Sequence, residues 1–303
     1  MDYRKILEEI EQEIAQSPEK GKVADYIPAL GAVSPDNFGM AIKLVTGEEY
    51  SIGNAFDKFS IQSISKIISL TLSLKDDDSI LNRRVGIEPS GNAFNSLVQL
   101  ETENGIPRNP FINAGAIVVS DSLLSIYKNP KNRIIEFVRH LSGNPAIIYD
   151  FEVAASEKET GFRNLALANF IKSYGNLENN VKEVLDTYYH QCSLSMSSMD
   201  LARTFLFLAN NGKTIEGEEI LSFRQTKKVN SLLMTCGTYD AVGNFAYKVG
   251  IPAKSGVGGG IVGIIPGVMS VVVWAPGLDS AGNSYLGGKA LEMFTTLTGR
   301  SVF

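Results

Sequence analysis

The sequence predicts an α+β protein. One antiparallel sheet is assembled from both ends of the chain, terminal helices flank it, and an all-helical lobe is inserted between its strands. Three observations lead there. Short β-rich runs lie near residues 39–53 and again after about 240. Between them, from roughly 66 to 210, apolar residues recur at helical spacing. A helix-patterned segment stands at each end of the chain.

Taken in order, "MDYRKILEEIEQEIAQSPEKGK" opens the chain as a charged, amphipathic helix. "GMAIKLV" (39–45) reads as a strand, "TGEE" (46–49) as a turn and "YSIGN" as a second strand, together a hairpin. "FSIQSISKIISL" (59–70) then begins a strongly apolar segment. Five helical patterns follow: "NAGAIVVSDSLLSIY", "NRIIEFVRHLS", "RNLALANFIKSYG", "NVKEVLDTYYHQCS" and "SMDLARTFLFLANNGK". "FAYKVGIPAKSGVGGGIVGIIPGVMSVVVWAP" holds three short β-rich runs broken by glycine and proline, an antiparallel meander. "LGGKALEMFTTLTG" closes the chain as a helix. With neither an internal repeat nor a low-complexity linker, residues 1–303 read as one domain. Its sheet-containing lobe is expected at about 1–62 plus 215–303, and its helical lobe at about 63–214.

Composition narrows the function classes. Hydrophobic content of 44% and charged content of 20% are ordinary for a globular chain. The net charge of −5 is spread without basic blocks, which argues against nucleic acid or an anionic membrane as partner. "KDDDS" (75–79) lacks the alternating ligands of a calcium loop and reads as a solvated helix end. Two cysteines, Cys192 and Cys236, and two histidines, His140 and His190, fall in no zinc-type spacing, so no metal site is expected. The N-terminal segment has no secretory pattern and no apolar run reaches membrane-spanning length, which predicts a cytoplasmic protein.

A lysine inside a greasy segment needs a reason. Ser63 and Lys66 stand three apart, so a helix presents both on one face. A neutral amine there can take the serine proton and make the oxygen a nucleophile. The same spacing recurs at Ser17–Lys20, an exposed helix end, and at Ser125–Lys128, before an "NPKN" turn; only Ser63–Lys66 opens an apolar run. Downstream, Lys254-Ser255-Gly256 lies on a predicted strand. Ser-x-x-Lys on a helix and Lys-Ser-Gly on a strand are two of three signatures of serine acyl-transfer enzymes with the β-lactamase/DD-peptidase-like architecture. The N–H of Ser63 at a helix head and that of Val257, on a strand edge relieved by Gly256 and Gly258, could form an oxyanion hole. Lys254 is expected to supply a cation that depresses the Lys66 pKa. The third signature, Ser-Asp-Asn, is absent; Ser120-Asp121-Ser122 and Ser34-Pro35-Asp36-Asn37 read as accidental.

Seven blocks, "YIPAL" (26–30), "FSIQSISK" (59–66), "RNPFINAGAI" (108–117), "SEKETGFRN" (156–164), "YYHQCS" (188–193), "CGTYD" (236–240) and "AKSGVGGGI" (253–261), together resemble the serine-dependent glutaminases. The resemblance covers about residues 20–285 with every block in family order. It implies the β-lactamase-like fold and hydrolysis of L-glutamine to L-glutamate and ammonia. It also implies a nucleophile at Ser63, its partner at Lys66, and substrate contacts at Tyr26, Asn113, Glu157, Asn164, Tyr188, Tyr239 and Val257. It implies a homo-oligomer, dimer or tetramer, and no cofactor.

The chemistry of these residues agrees with that implication. Glu157 suits an ammonium; Asn113, Asn164, Tyr26 and Tyr188 can hydrogen-bond a carboxylate or amide without adding charge. Tyr239 is the candidate relay that protonates the leaving ammonia with Lys66. Two alternatives stay open: another serine acyl-transfer hydrolase on this architecture, and a non-catalytic glutamine-binding module.

Overall fold

The computed structural model describes residues 1–91, 93 and 95–303. Helix α1 (Tyr3–Ala15) leads, its first turn capped by Asp2, whose carboxylate accepts from Lys5 N–H. Strands β1 (Gly39–Leu44), β2 (Glu49–Gly53) and β3 (Phe59–Ser60) follow. Helix α2 (Ser65–Asp76) then continues directly from a single 3₁₀ turn at Gln62–Ile64. Two short helices, α3 (Ile80–Arg83) and α4 (Val98–Thr102), precede the larger α5 (Asn113–Ile126) and α6 (Pro130–Ser142). Next come β4 (Ile148–Tyr149), α7 (Phe151–Thr160), α8 (Phe162–Ser173), α9 (Val181–Cys192), β5 (Leu194–Met196) and α10 (Ser198–Ala209). The chain ends with α11 (Phe223–Cys236), α12 (Val242–Lys248), β6 (Ala253–Gly256), β7 (Gly260–Ile265), β8 (Met269–Trp274) and α13 (Tyr285–Thr298).

The main sheet has the order β2-β1-β8-β7-β6, all antiparallel, so strands from both chain ends meet at β1·β8. Side chains alternate between its faces. Met40, Ile42, Val271 and Val273 pack with Leu7, Ile10 and Phe294 from α1 and α13. Ala41, Val272 and Trp274 turn to the other face and join Phe205 and Leu208 of α10 in the larger core. With both faces covered, β7 and β8 are buried at every residue, which is why they are almost wholly apolar, Ser270 being the one polar side chain.

Several local expectations are revised. "NPKN" is a helix start and not a turn: Asn129 accepts from Asn132 N–H and Pro130 occupies the first helical position. Phe245–Lys248, at the head of the expected meander, belongs to α12. A second sheet, β3-β5-β4, interrupts the helical stretch with strands of two or three residues. Helix α11 was not anticipated, although Ser222 and Gln225 form a capping box ahead of Val229, Leu232, Leu233 and Cys236. Asp121 is structural: fully buried, it pairs with Arg84 and accepts the N–H groups of Glu178 and Asn179.

Candidate active site

The 3₁₀ turn bearing Ser63 packs against β6, and glycine makes the approach possible. A Cβ on Gly256 would fall 2.6 Å from the Ile61 carbonyl oxygen; one on Gly258 would fall 2.1 Å from that of Ser60. Strand edge and nucleophile turn therefore touch backbone to backbone. Val257, between those glycines, is buried.

Seven of the expected residues line one cavity of about 570 Å³: Ser63, Tyr26, Asn113, Glu157, Asn164, Tyr188 and Val257. Tyr26 is the outlier, 56% exposed, whereas the other six are buried. Helix α5 begins at Asn113, α7 carries Glu157, α8 carries Asn164 and α9 carries Tyr188, so four helices deliver one polar residue each. Lys66, Tyr239, Lys254 and Gly256 are buried and do not line the cavity.

Lys66 is 1% exposed and its Nζ donates to Phe111 O at 3.1 Å and Asn113 Oδ1 at 2.8 Å. Burial pushes its amine down to about 8, opposed by Cys192 and Glu157. The Tyr239 hydroxyl donates to Ser255 O at 3.2 Å. Burial raises this phenol well above its ordinary value, and Ser63 is near enough for its side chain to lower it in part. Glu157 is pushed up to about 7 by burial, moderated by the Gln62 amide and by Lys66. Burial likewise raises the Tyr188 phenol, and Lys66 Nζ sits 5.9 Å from the centre of its ring.

Lys254 departs from its expected role. It is fully buried, donating to Gly237 O at 3.0 Å and Ser255 O at 2.6 Å, with Nζ 4.3 Å from the centre of the Tyr239 ring. Burial, then the charge of Lys66, drives its own pKa well down. Burial is the largest cause of the low Lys66 pKa, and the repulsion between the two buried amines lowers that of Lys254.

Sequence reasoning missed two neighbours. Gln62 lines the cavity, is 3% exposed, donates to Ser60 Oγ at 3.1 Å and has a φ of 50°. The other described non-glycine residues with positive φ are Tyr239 and three asparagines, which tolerate that region. Strained backbone thus occurs at Gln62, next to Ser63 in the chain, and at Tyr239, as at many functional sites. Adjacency to Ser63 was the only available signal for Gln62. Cys192 is buried beside Ser65, and burial pushes its thiol up to about 12, so it stays protonated. Among the described residues no group of three or more His, Cys, Asp or Glu could hold a metal, and no helix is long and apolar enough to cross a membrane.

Comparison with known proteins gives the family and the fold. The Glutaminase family model matches residues 21–303. A glutaminase of Aliarcobacter butzleri (strain RM4018) is 55% identical over 305 aligned residues, covering 100% of both chains. One of Streptomyces coelicolor is 52% identical, covering 99% of this chain and 98% of its own. Among solved structures, the Bacillus subtilis probable glutaminase superposes with a TM-score of 0.85 at 29% identity, covering 99% of this chain and 97% of its own. Mglu in its glutamate form gives a TM-score of 0.93 at 34% identity, covering 100% of this chain and 70% of its own. The fold is accordingly the β-lactamase-like fold of those enzymes, and the chain belongs to the glutaminase family.

Proposed function

We propose that this glutaminase cleaves L-glutamine through a glutamyl ester on Ser63, with Lys66 as base and Tyr239 as proton relay. The observation that carries the reading is the chemical sorting of one cavity. The buried carboxyl group of Glu157 lines the cavity and suits an ammonium, and the amides of Asn113 and Asn164 can meet a carboxylate. Ser63 Oγ attacks the side-chain amide carbon, and its proton passes by way of the Tyr239 hydroxyl to neutral Lys66. The tetrahedral oxyanion is held by the N–H groups of Ser63 and Val257. The same proton returns to the departing nitrogen, so the leaving group is ammonia; water then attacks the ester and the relay runs again. Tyr26 at the cavity mouth contacts the bound amino acid, and Lys254, holding Ser255 O, fixes the end of β6 that leads into Val257.

The geometry has a specificity consequence. Asparagine anchored by its α-groups falls one methylene short of Ser63, which costs its near-attack position. Ammonia release should favour L-glutamine over L-asparagine by at least about 100-fold in kcat/KM. Comparable values for the two amides would contradict the anchoring.

A further inference from the structure

Two carbonyl oxygens hold the Lys66 amine. Its Nζ donates to Phe111 O at 3.1 Å and to Asn113 Oδ1 at 2.8 Å. A neutral amine has two N–H groups and one lone pair. With both N–H groups taken, the lone pair is what remains to receive a proton. These two acceptors therefore orient the base, and both follow Asn109 within four residues.

Asn109 does not line the cavity and is 1% exposed. Its Oδ1 accepts Phe111 N–H at 3.0 Å and Ile112 N–H at 3.1 Å, and its Nδ2 donates to Glu88 O at 3.0 Å. Pro110 has no N–H, so the first two N–H groups after Asn109 both close onto its side chain, as in an Asx turn. That turn is braced from two sides. Gly86 N–H donates to Pro107 O at 2.7 Å, and Glu88 N–H to Arg108 O at 2.9 Å. Helix α5 presses on the Asn109 carbonyl, where a Cβ on Gly115 would fall 1.9 Å from the oxygen. Phe111, so placed, also sets its ring 6.0 Å from Lys254 Nζ and meets both buried amines.

We infer that Asn109 is a positioning residue for Lys66: its side-chain amide sets the turn at residues 110–112, so that Phe111 O and Asn113 Oδ1 hold both N–H groups of the amine and leave its lone pair for the Ser63 proton. This rests on reading Lys66 as the base. Removing the amide frees two backbone N–H groups at a buried turn, and water must then satisfy them. Burial is the largest cause that keeps the amine down at about 8, so water at the turn carries it back toward the ordinary lysine range. Around that amine stand Glu157 on α7, Cys192 and Tyr188 on α9, and Lys254 on β6, none of them on the turn.

The test is kcat against pH from 6 to 10 on saturating L-glutamine, where free substrate and unoccupied Glu157 no longer contribute. Wild-type kcat should rise through a midpoint at about 8. In Asn109→Ala that midpoint should move about one pH unit alkaline, so that kcat at pH 7 falls about tenfold. Asn109→Ser, whose hydroxyl makes the same kind of turn more weakly, should move it part of the way. A midpoint is independent of how much variant is folded. An unmoved midpoint in Asn109→Ala would overturn the inference, as would an Asn109→Ser midpoint that moves as far as that of Asn109→Ala. Should Asn109→Ala fail to fold, Asn109→Ser decides alone, and its unmoved midpoint overturns the inference. A wild-type kcat with no rise between pH 7 and 9 would instead remove Lys66 as the base.

Discussion

Glu157 and Lys66 set opposite requirements at one cavity. Glu157 must be ionised to hold an ammonium, and burial delays that until about 7. Lys66 must be neutral to act as base, and burial brings that within reach at about 8. Both conditions are met as pH rises, so kcat/KM should climb from pH 6 to about 8.5 and fall again where the substrate's own α-ammonium loses its proton. A profile that is flat, or highest at pH 6, would contradict the assignment of either group. At this scale the sequence was informative about residue type and silent about neighbours. The pair Ser63–Lys66 and the polar residues Asn113, Glu157 and Asn164 stand in linear motifs. That the Lys66 amine binds Asn113 depends on how α2 packs against α5, and that Tyr239 comes near Ser63 depends on the tertiary fold. The positive φ of Gln62 has no signature in its own side chain, and the protonation of Lys254 depends on burial that spacing does not reveal.

Among the elements, the meeting of the Ser63 turn with β6 is the most demanding. Gly256→Ala would drive a Cβ against the Ile61 carbonyl and push the nucleophile turn from Val257. A displacement of about 1 Å at reacting atoms can cost on the order of 100-fold, and kcat of this variant should fall by about that much. Unchanged kcat would mean that the strand edge does not position the chemistry. Long elements were legible because their patterns are long: α1, α5, α10 and α13 follow helical periodicity, and β1, β7 and β8 their turn-bounded apolar runs. Strands β4 and β5, with two and three residues, carry too little pattern to read. Helix α11 differs, since its capping box and its apolar spacing at Val229, Leu232, Leu233 and Cys236 stood in the sequence.

Across the whole molecule, the sheet separates two kinds of work. The face covered by α1 and α13 holds a packed apolar layer, whereas Ser63 and Lys66 belong to the turn and helix beyond the other face. Damage to the first face should therefore cost stability and leave chemistry intact. Ile10→Ala removes a fully buried side chain there and should destabilise by about 2–5 kcal/mol in denaturant unfolding, with kcat per folded molecule unchanged. A matching loss of kcat would show that the sheet transmits strain to the site. Pairing of β1 with β8 joins the two chain ends in one sheet.

Ammonia release from L-glutamine by wild type, Ser63→Ala and Lys66→Ala, measured side by side at pH 8, tests the central claim most directly. Turnover in the wild type, lowered at least about 1,000-fold in both variants, is the predicted result, because members of one catalytic unit fail together. A Ser63→Ala variant that keeps a tenth or more of the wild-type kcat would contradict the serine ester, and with it the mechanism proposed here.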